Sequence, residues 1–445
     1  MKTLTLPGSK SITNRNLILA ALAEGTTTLK GILYSDDTKY MMQALIQLGI
    51  KITEPQHSPL SVVEGDRGWG EKIIIEGGTK HIKWNNKTLF LGNSWTSVRF
   101  LSWLSCLNTE WNITITGNEA MQTRPIQDLA DGIAQLWLKV QTTNNCPPVI
   151  ISPNSTIFNN VEQCSTISIP GSKSSQYFTS LLQIAPLLPN GLHLEVEGDL
   201  VSKPYIDITI NEMKKFWVSV TNNDYTSFDI TPQQYIPQTL DVEGDASALS
   251  YIVAHYCLHG GDITITNIGN DTKQGDYHFL DQCKIFWLTY TSNGTSTTIS
   301  APGLADIDHW LLTTDHWPFD FEPMPDVSMT FMILSCFFPG KTTITWLQTL
   351  NIKECKRLDV MHDELSKLGI EITSTEESIT IGEIGHFWDL RSGDVIDIET
   401  YDDHRIAMCF GVLNAYIGGL IILNPDCVNK TYPNFWKDLQ LLFQS

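Results

Sequence analysis

The stretch Leu6-Pro7-Gly8-Ser9-Lys10-Ser11-Ile12-Thr13-Asn14-Arg15, followed by the apolar run from Leu17 to Leu22, decides how the rest of the chain is read. Turn-forming residues give way at once to a helical pattern, so Ser9 or Ser11 is the expected N-cap. A helix start presents N–H groups without intrahelical partners and a partial positive charge. Lys10 and Arg15 beside it suit the place to a multiply charged anion; a capped helix with two solvated cations is the alternative.

The phrase recurs. Ile169-Pro170-Gly171-Ser172-Lys173-Ser174-Ser175-Gln176 repeats it ahead of another apolar run. Related arrangements stand at Gly92-Asn93-Ser94-Trp95-Thr96-Ser97, Glu243-Gly244-Asp245-Ala246-Ser247, Met324-Pro325-Asp326-Val327-Ser328 and Tyr401-Asp402-Asp403-His404-Arg405. Each leads into an apolar helix, then a Gly-containing turn, then a Thr/Ile-rich strand such as Gly340-Lys341-Thr342-Thr343-Ile344. Six occurrences about 80 residues apart make an internal repeat. Six polar helix starts brought together would form a cleft for anions. Strands alternating with helices imply an α/β fold, and helices apolar nearly all round should lie inside the sheets.

With 445 residues the chain exceeds one core, and 42% hydrophobic with 18% charged residues is an ordinary globular composition. The net charge of -20 argues against nucleic acid or an acidic membrane as partner, and makes any cation cluster more informative. No apolar segment follows Met1, and the longest apolar run, 410–423, is too short to span a bilayer. Nine cysteines without a C-x-x-C pair point away from a disulfide framework or zinc site, and toward a reducing cytoplasm. Further along, Asp36 to Leu48 reads as a helix ended by Gly49, and Thr96 to Leu107 as another. Pro125 reads as a helix start that places Arg124 where a strand hands over to a helix.

Together these motifs resemble the 3-phosphoshikimate 1-carboxyvinyltransferase family, the EPSP synthases. The resemblance runs through Leu6 to Arg15, Leu91 to Arg99, Gln122 to Ile126, Ser174 to Gln176, Leu200 to Asp207, Val242 to Ser247, Gln274 to Asp276, Pro325-Asp326, Ile352 to Arg357, Tyr401 to Met408 and Lys430 to Pro433. It implies a two-globe inverse α/β barrel of six βαβαββ-like repeats. One globe would hold residues 10–238, with the shikimate 3-phosphate side, and the other residues 1–9 plus 239–445. The active site would lie in the cleft between them.

The implied reaction moves the enolpyruvyl group of phosphoenolpyruvate to the 5-hydroxyl of shikimate 3-phosphate and releases phosphate, by addition and elimination. Both substrates carry phosphate and carboxylate, so cations must oppose them: Lys10, Arg15, Arg99, Arg124, Lys353, Arg357, Arg405 and Lys430 all fall on motif positions. A C–O bond breaks and no phosphoryl group is transferred, so no metal or cofactor is expected. Asp326 matches the residue that takes the hydroxyl proton, Glu354 the one near the methylene carbon, and Lys10 assists at the bridging oxygen. Ser174, Ser175 and Ser202 would hold the shikimate phosphate, with Ser11 and Arg15 around its carboxylate and hydroxyls. Gln176 would reach between the substrates and Tyr205 line the pocket, while Thr349 falls on a family asparagine. The expected partners are these two small molecules, with a monomeric enzyme.

One departure stands out. The family has Asn-Ala-Gly-Thr where this chain has Asn93-Ser94-Trp95-Thr96, and that glycine lies against phosphoenolpyruvate. An indole there should fill the pocket. Trp137, Trp217, Trp287 and Trp346 likewise stand where the family pattern prefers glycine, and Trp111 sits at a turn. Several of these places should need positive φ. A codon read as glycine in the source but written as tryptophan would explain them, with Trp436 exempt. A non-catalytic anion-binding homologue with a blocked pocket is the alternative. The sister transferase acting on UDP-N-acetylglucosamine is a further rival, but it typically uses a loop cysteine, and Cys106 lies in an apolar helical stretch.

Overall fold

Four of the six polar phrases sit between two paired parallel strands, which only a crossover can join. The unit around Ser174 shows the pattern. Strand Thr166–Pro170 leads into helix Ser175–Ile184 and returns as Leu192–Glu197, parallel to the first. Helix Pro204–Lys215 follows, and the hairpin Thr221–Asn223 and Ser227–Ile230 adds two antiparallel strands. Five four-stranded sheets share this order, and the sixth unit keeps the parallel pair Ile396–Ile398 and Leu420–Ile422. The computed structural model describes all residues except 1, 55–71, 86, 137, 154–165, 173, 308–317, 385–394 and 444–445.

The chain divides into two compact units, Gly8–Val242 and Met1–Pro7 with Glu243–Ser445. Two sheets are completed by strands remote in sequence. Thr239–Asp241 pairs with Gly25–Lys30 in the first unit, and Lys2–Leu4 pairs with Gly261–Ile265 in the second.

Helices without a polar face are surrounded on every side. Helix Ala246–His259 buries every residue except Ser247 and His259, and Ser328–Ser335 is buried throughout. The strands show alternation instead: Ile113–Thr116 runs Ile, Thr, Ile, Thr with only the isoleucines buried. The expected α/β architecture with core helices therefore stands.

Helix ends depart from expectation in three places. Helix Lys10–Leu22 has Ser9 at its N-cap, but Ser9 makes no side-chain cap bond, and its Oγ is buried with no partner among the described residues. The helix read as Thr96 to Leu107 runs Trp95–Leu104 and tightens to 3₁₀ over Ser105–Leu107. Pro125 does not open a helix: a short turn, Glu119–Gln122, comes first, and the next helix starts at Gln127. By contrast, Asp245 caps its helix by accepting from the Ala248 N–H at 3.1 Å. Asp245→Ala should cost about 1 kcal/mol in urea unfolding, whereas Ser9→Ala, which removes no cap bond, should cost less.

Candidate active site

In the unit Gly8–Val242, the expected residues are joined by short contacts. Lys10 opens its helix and its Nζ lies 3.4 Å from Asp37. The Asp37 carbonyl accepts from Ser94 and Ser97 hydroxyls at 3.3 and 3.4 Å, which ties Lys10 to the start of helix Trp95–Leu104. From that helix Arg99 donates to Gln176 Oε1, and its guanidinium lies 5.4 Å from the Tyr177 ring. Arg124 and Arg99 both stand over the Trp95 ring, at 5.2 and 5.1 Å. Asn93 Oδ1 and the Trp95 Nε1–H are buried with no partner among the described residues.

Arg15 is 2% exposed. Its fork donates to Thr209 Oγ1 at 2.9 Å, the Ser11 carbonyl at 2.8 Å, Thr179 Oγ1 at 3.2 Å and the Tyr205 carbonyl at 3.1 Å. Burial lowers its guanidinium to about 10, partly offset by Tyr205 and Glu212. Arg15 thus braces Ser11 and Tyr205. Ser174 caps helix Ser175–Ile184 through the Gln176 N–H, and Ser175 is buried in its first turn. Ser202 takes a left-handed φ of 55° and its carbonyl accepts from the Tyr205 N–H at 3.1 Å.

The second unit holds the proposed acid–base pair. The Arg357 guanidinium, 1% exposed, is its hub. It reaches Asp326 at 3.1 Å, Glu354 at 2.8 Å and Asp403 at 2.7 Å. Lys353 lies 3.3 Å from Asp326, Arg405 another 3.3 Å from its second oxygen, and Lys430 3.0 Å from Glu354. Burial works to raise the Asp326 carboxyl, yet Lys353, Arg405 and Arg357 outweigh it and hold it well below the usual carboxylate range. The Arg357 guanidinium moves up despite burial, because Asp403, Glu354 and Asp326 surround it. Thr349, just before the 3₁₀ turn Leu350–Ile352, has a buried Oγ1 with no partner among the described residues.

Three supporting residues escaped the sequence reading. Asp403 caps helix His404–Ile417 through the Arg405 N–H and orients Arg357. Ser247 accepts from Arg405 at 3.2 Å and donates to Asp276. Burial, with Asp326 adding to it, pushes the Asp276 carboxyl up to about 6. Both acids stood inside quoted motifs, and their type was the available signal. Trp137 lies outside the described residues. Trp111 does not take the left-handed conformation expected of several of these tryptophans; Trp217, Trp287 and Trp346 do.

Two outcomes follow. Arg357→Met leaves three carboxylates without their central cation and should cost about 3–5 kcal/mol in urea unfolding. Asp276 titrates higher folded than unfolded, so the folded state holds its proton longer. That contribution should make stability fall as pH rises from about 4 to about 6. Asp326 has the opposite sign: its contribution is present above about 4 and is lost in stronger acid. Asp276→Asn should therefore flatten the decline between pH 4 and 6 and raise stability at pH 7.5, by chemical unfolding at each pH.

The profile described as EPSP synthase (3-phosphoshikimate 1-carboxyvinyltransferase) matches residues 1–439. The chain is 36% identical over 448 residues to the 3-phosphoshikimate 1-carboxyvinyltransferase of Haemophilus ducreyi, covering 99% of this chain and 95% of that protein. It is 37% identical over 439 residues to that of Colwellia psychrerythraea, covering 98% and 95%. Among solved structures, EPSP synthase from Acinetobacter baumannii shares the fold, with a TM-score of 0.73 at 22% identity, covering 99% of this chain and 95% of that one. Matched along nearly its whole length, the chain belongs to the EPSP synthase family of enolpyruvyl transferases.

Proposed function

We propose that this protein transfers the enolpyruvyl group of phosphoenolpyruvate to the 5-hydroxyl of shikimate 3-phosphate and releases phosphate. The observation that carries the reading is the Asp326–Glu354 pair, bridged by Arg357 and flanked by Lys353, Arg405 and Lys430. Addition bonds the hydroxyl oxygen to C2 of phosphoenolpyruvate while its methylene carbon gains a proton. Elimination then removes a proton from that carbon and breaks the C2–O bond, so phosphate leaves with the electron pair. Asp326 takes the hydroxyl proton, Glu354 serves the carbon, and Lys10 assists at the bridging oxygen.

Cation-bound Asp326 is a weak base at rest. Anionic substrates that engage Lys353 and Arg405 compete for those cations, so binding raises its basicity when a base is needed. Ser174, Ser175 and Ser202 receive the shikimate phosphate, while Ser11, placed by Arg15, receives its carboxylate and hydroxyls. Gln176, oriented by Arg99, reaches between the substrates, and Tyr205 lines the pocket. Arg124, Arg99, Asn93, Thr96 and Thr349 face phosphoenolpyruvate. The protein works as a monomer on dissolved small molecules in the cytoplasm; no helix among the described residues is long and apolar enough to cross a membrane.

The sister transferase is not favoured. Cys106 is fully buried, its Sγ lies against the Ser102 carbonyl at 3.6 Å, and burial pushes its thiol up. Protein from its source cells should release phosphate from phosphoenolpyruvate only when shikimate 3-phosphate is also present. Absence of that release would remove the proposal. Asp326→Asn and Glu354→Gln should each lower kcat by about 10²–10⁴-fold in the same assay.

A further inference from the structure

Residue 217 occupies a place the fold uses repeatedly. Helix Asp36–Gln47 ends in a Schellman motif: Gly49 at φ 98° donates to the Ile46 carbonyl, and Ile50 donates to Leu45. Helix Pro204–Lys215 ends in the same motif, but with Trp217 at φ 65° donating to Lys214 and Val218 donating to Met213. The equivalent stretches read Leu48-Gly49-Ile50, Leu136-Trp137-Leu138, Phe216-Trp217-Val218, Phe286-Trp287-Leu288 and Leu368-Gly369-Ile370. Gly369 and Trp287 are again left-handed, at φ 75° and 58°. After the second strand of three of the repeats the alternation returns: Gly31 at 67°, Gly198 at 73° and Trp346 at 63°.

No packing need explains a swap between the smallest and the largest side chain. A Cβ clashes in the left-handed region, which glycine enters freely. Trp217, Trp287 and Trp346 also leave their rings in solvent, at 71%, 51% and 52% exposure. Trp436 differs in every respect: it lies inside helix Phe435–Phe443, its Nε1–H donates to the Pro425 carbonyl at 3.0 Å, and its ring meets Phe435 at 4.9 Å.

Trp95 is the position with a chemical consequence. Its ring is 7% exposed, its N–H has no acceptor among the described residues, and two guanidiniums converge on it. A π face holds arginine far less strongly than a bidentate anion does. The indole stands where a phosphate or carboxylate group is expected, at the first turn of helix Trp95–Leu104.

We infer that residues 95, 137, 217, 287 and 346 are glycine in the functional polypeptide, through one codon that its source reads as glycine. The assignment itself does not rest on the function proposed above; only the effect expected at residue 95 does. Mass-spectrometric sequencing of protein from the source cells should find glycine at these five positions and tryptophan at 436. Tryptophan at them overturns the inference. In the chain as written, Trp217→Gly, Trp287→Gly and Trp346→Gly should each raise Tm by about 2–4 °C without changing the rate of phosphate release, and Trp436→Gly should lower it. A fall in Tm at the first three would contradict the backbone argument. Trp95→Gly should raise kcat/KM for phosphoenolpyruvate by about 100-fold or more, and no rise contradicts glycine at 95. Glycine at 95 in source protein that turns nothing over would support the assignment while sinking the proposed reaction.

Discussion

The attraction between Arg357 and three carboxylates governs the candidate chemistry. A buried guanidinium is costly unless its donors are met, and Asp326, Glu354 and Asp403 meet them within 3.1 Å. The same bonds fix where Asp326 and Glu354, the two carboxylates proposed for acid–base work, point. Structure and chemistry are therefore not separable here: the residue that keeps the cluster together also sets the ionisation of its members. Lys353, Arg405 and Lys430 extend the network to the side chains that an incoming anion would meet.

The first unit works by a different balance. Among the described residues the Arg15 fork donates to hydroxyls and carbonyls from three helical segments, not to a carboxylate. Such neutral acceptors stabilise a cation less than a carboxylate does, which is why burial can lower the guanidinium to about 10. The gain is rigidity. Ser11 and Tyr205 are held by one side chain, and Gln176 is held by another, Arg99.

Much of this was legible in the sequence because the repeat is short-range chemistry. Turn residues, a polar phrase, an apolar helix and a Thr/Ile strand follow one another within about 40 residues, and five sheets share one strand order. The parallel pairs contributed by Thr239–Asp241 and Lys2–Leu4 were not legible, since nothing local says which remote strand completes a sheet. Asp276 and Asp403 were missed for a related reason: an acidic residue in a motif declares its charge but not its partner. Ser9 looked like a cap by position, yet its hydroxyl is turned away from that task. Trp217, Trp287 and Trp346 stand where the family pattern prefers glycine, and their left-handed backbone supplies the reason.

The central claim is that the cation cluster holds Asp326 ionised at rest and that anionic substrates loosen this hold. Titration of the Asp326 carboxyl by ¹³C NMR, with and without phosphoenolpyruvate and shikimate 3-phosphate, tests it most directly. A carboxyl that titrates well below the ordinary range alone and moves up when both substrates bind is the predicted result. An ordinary value in the free protein, or no movement on saturation, would contradict the account.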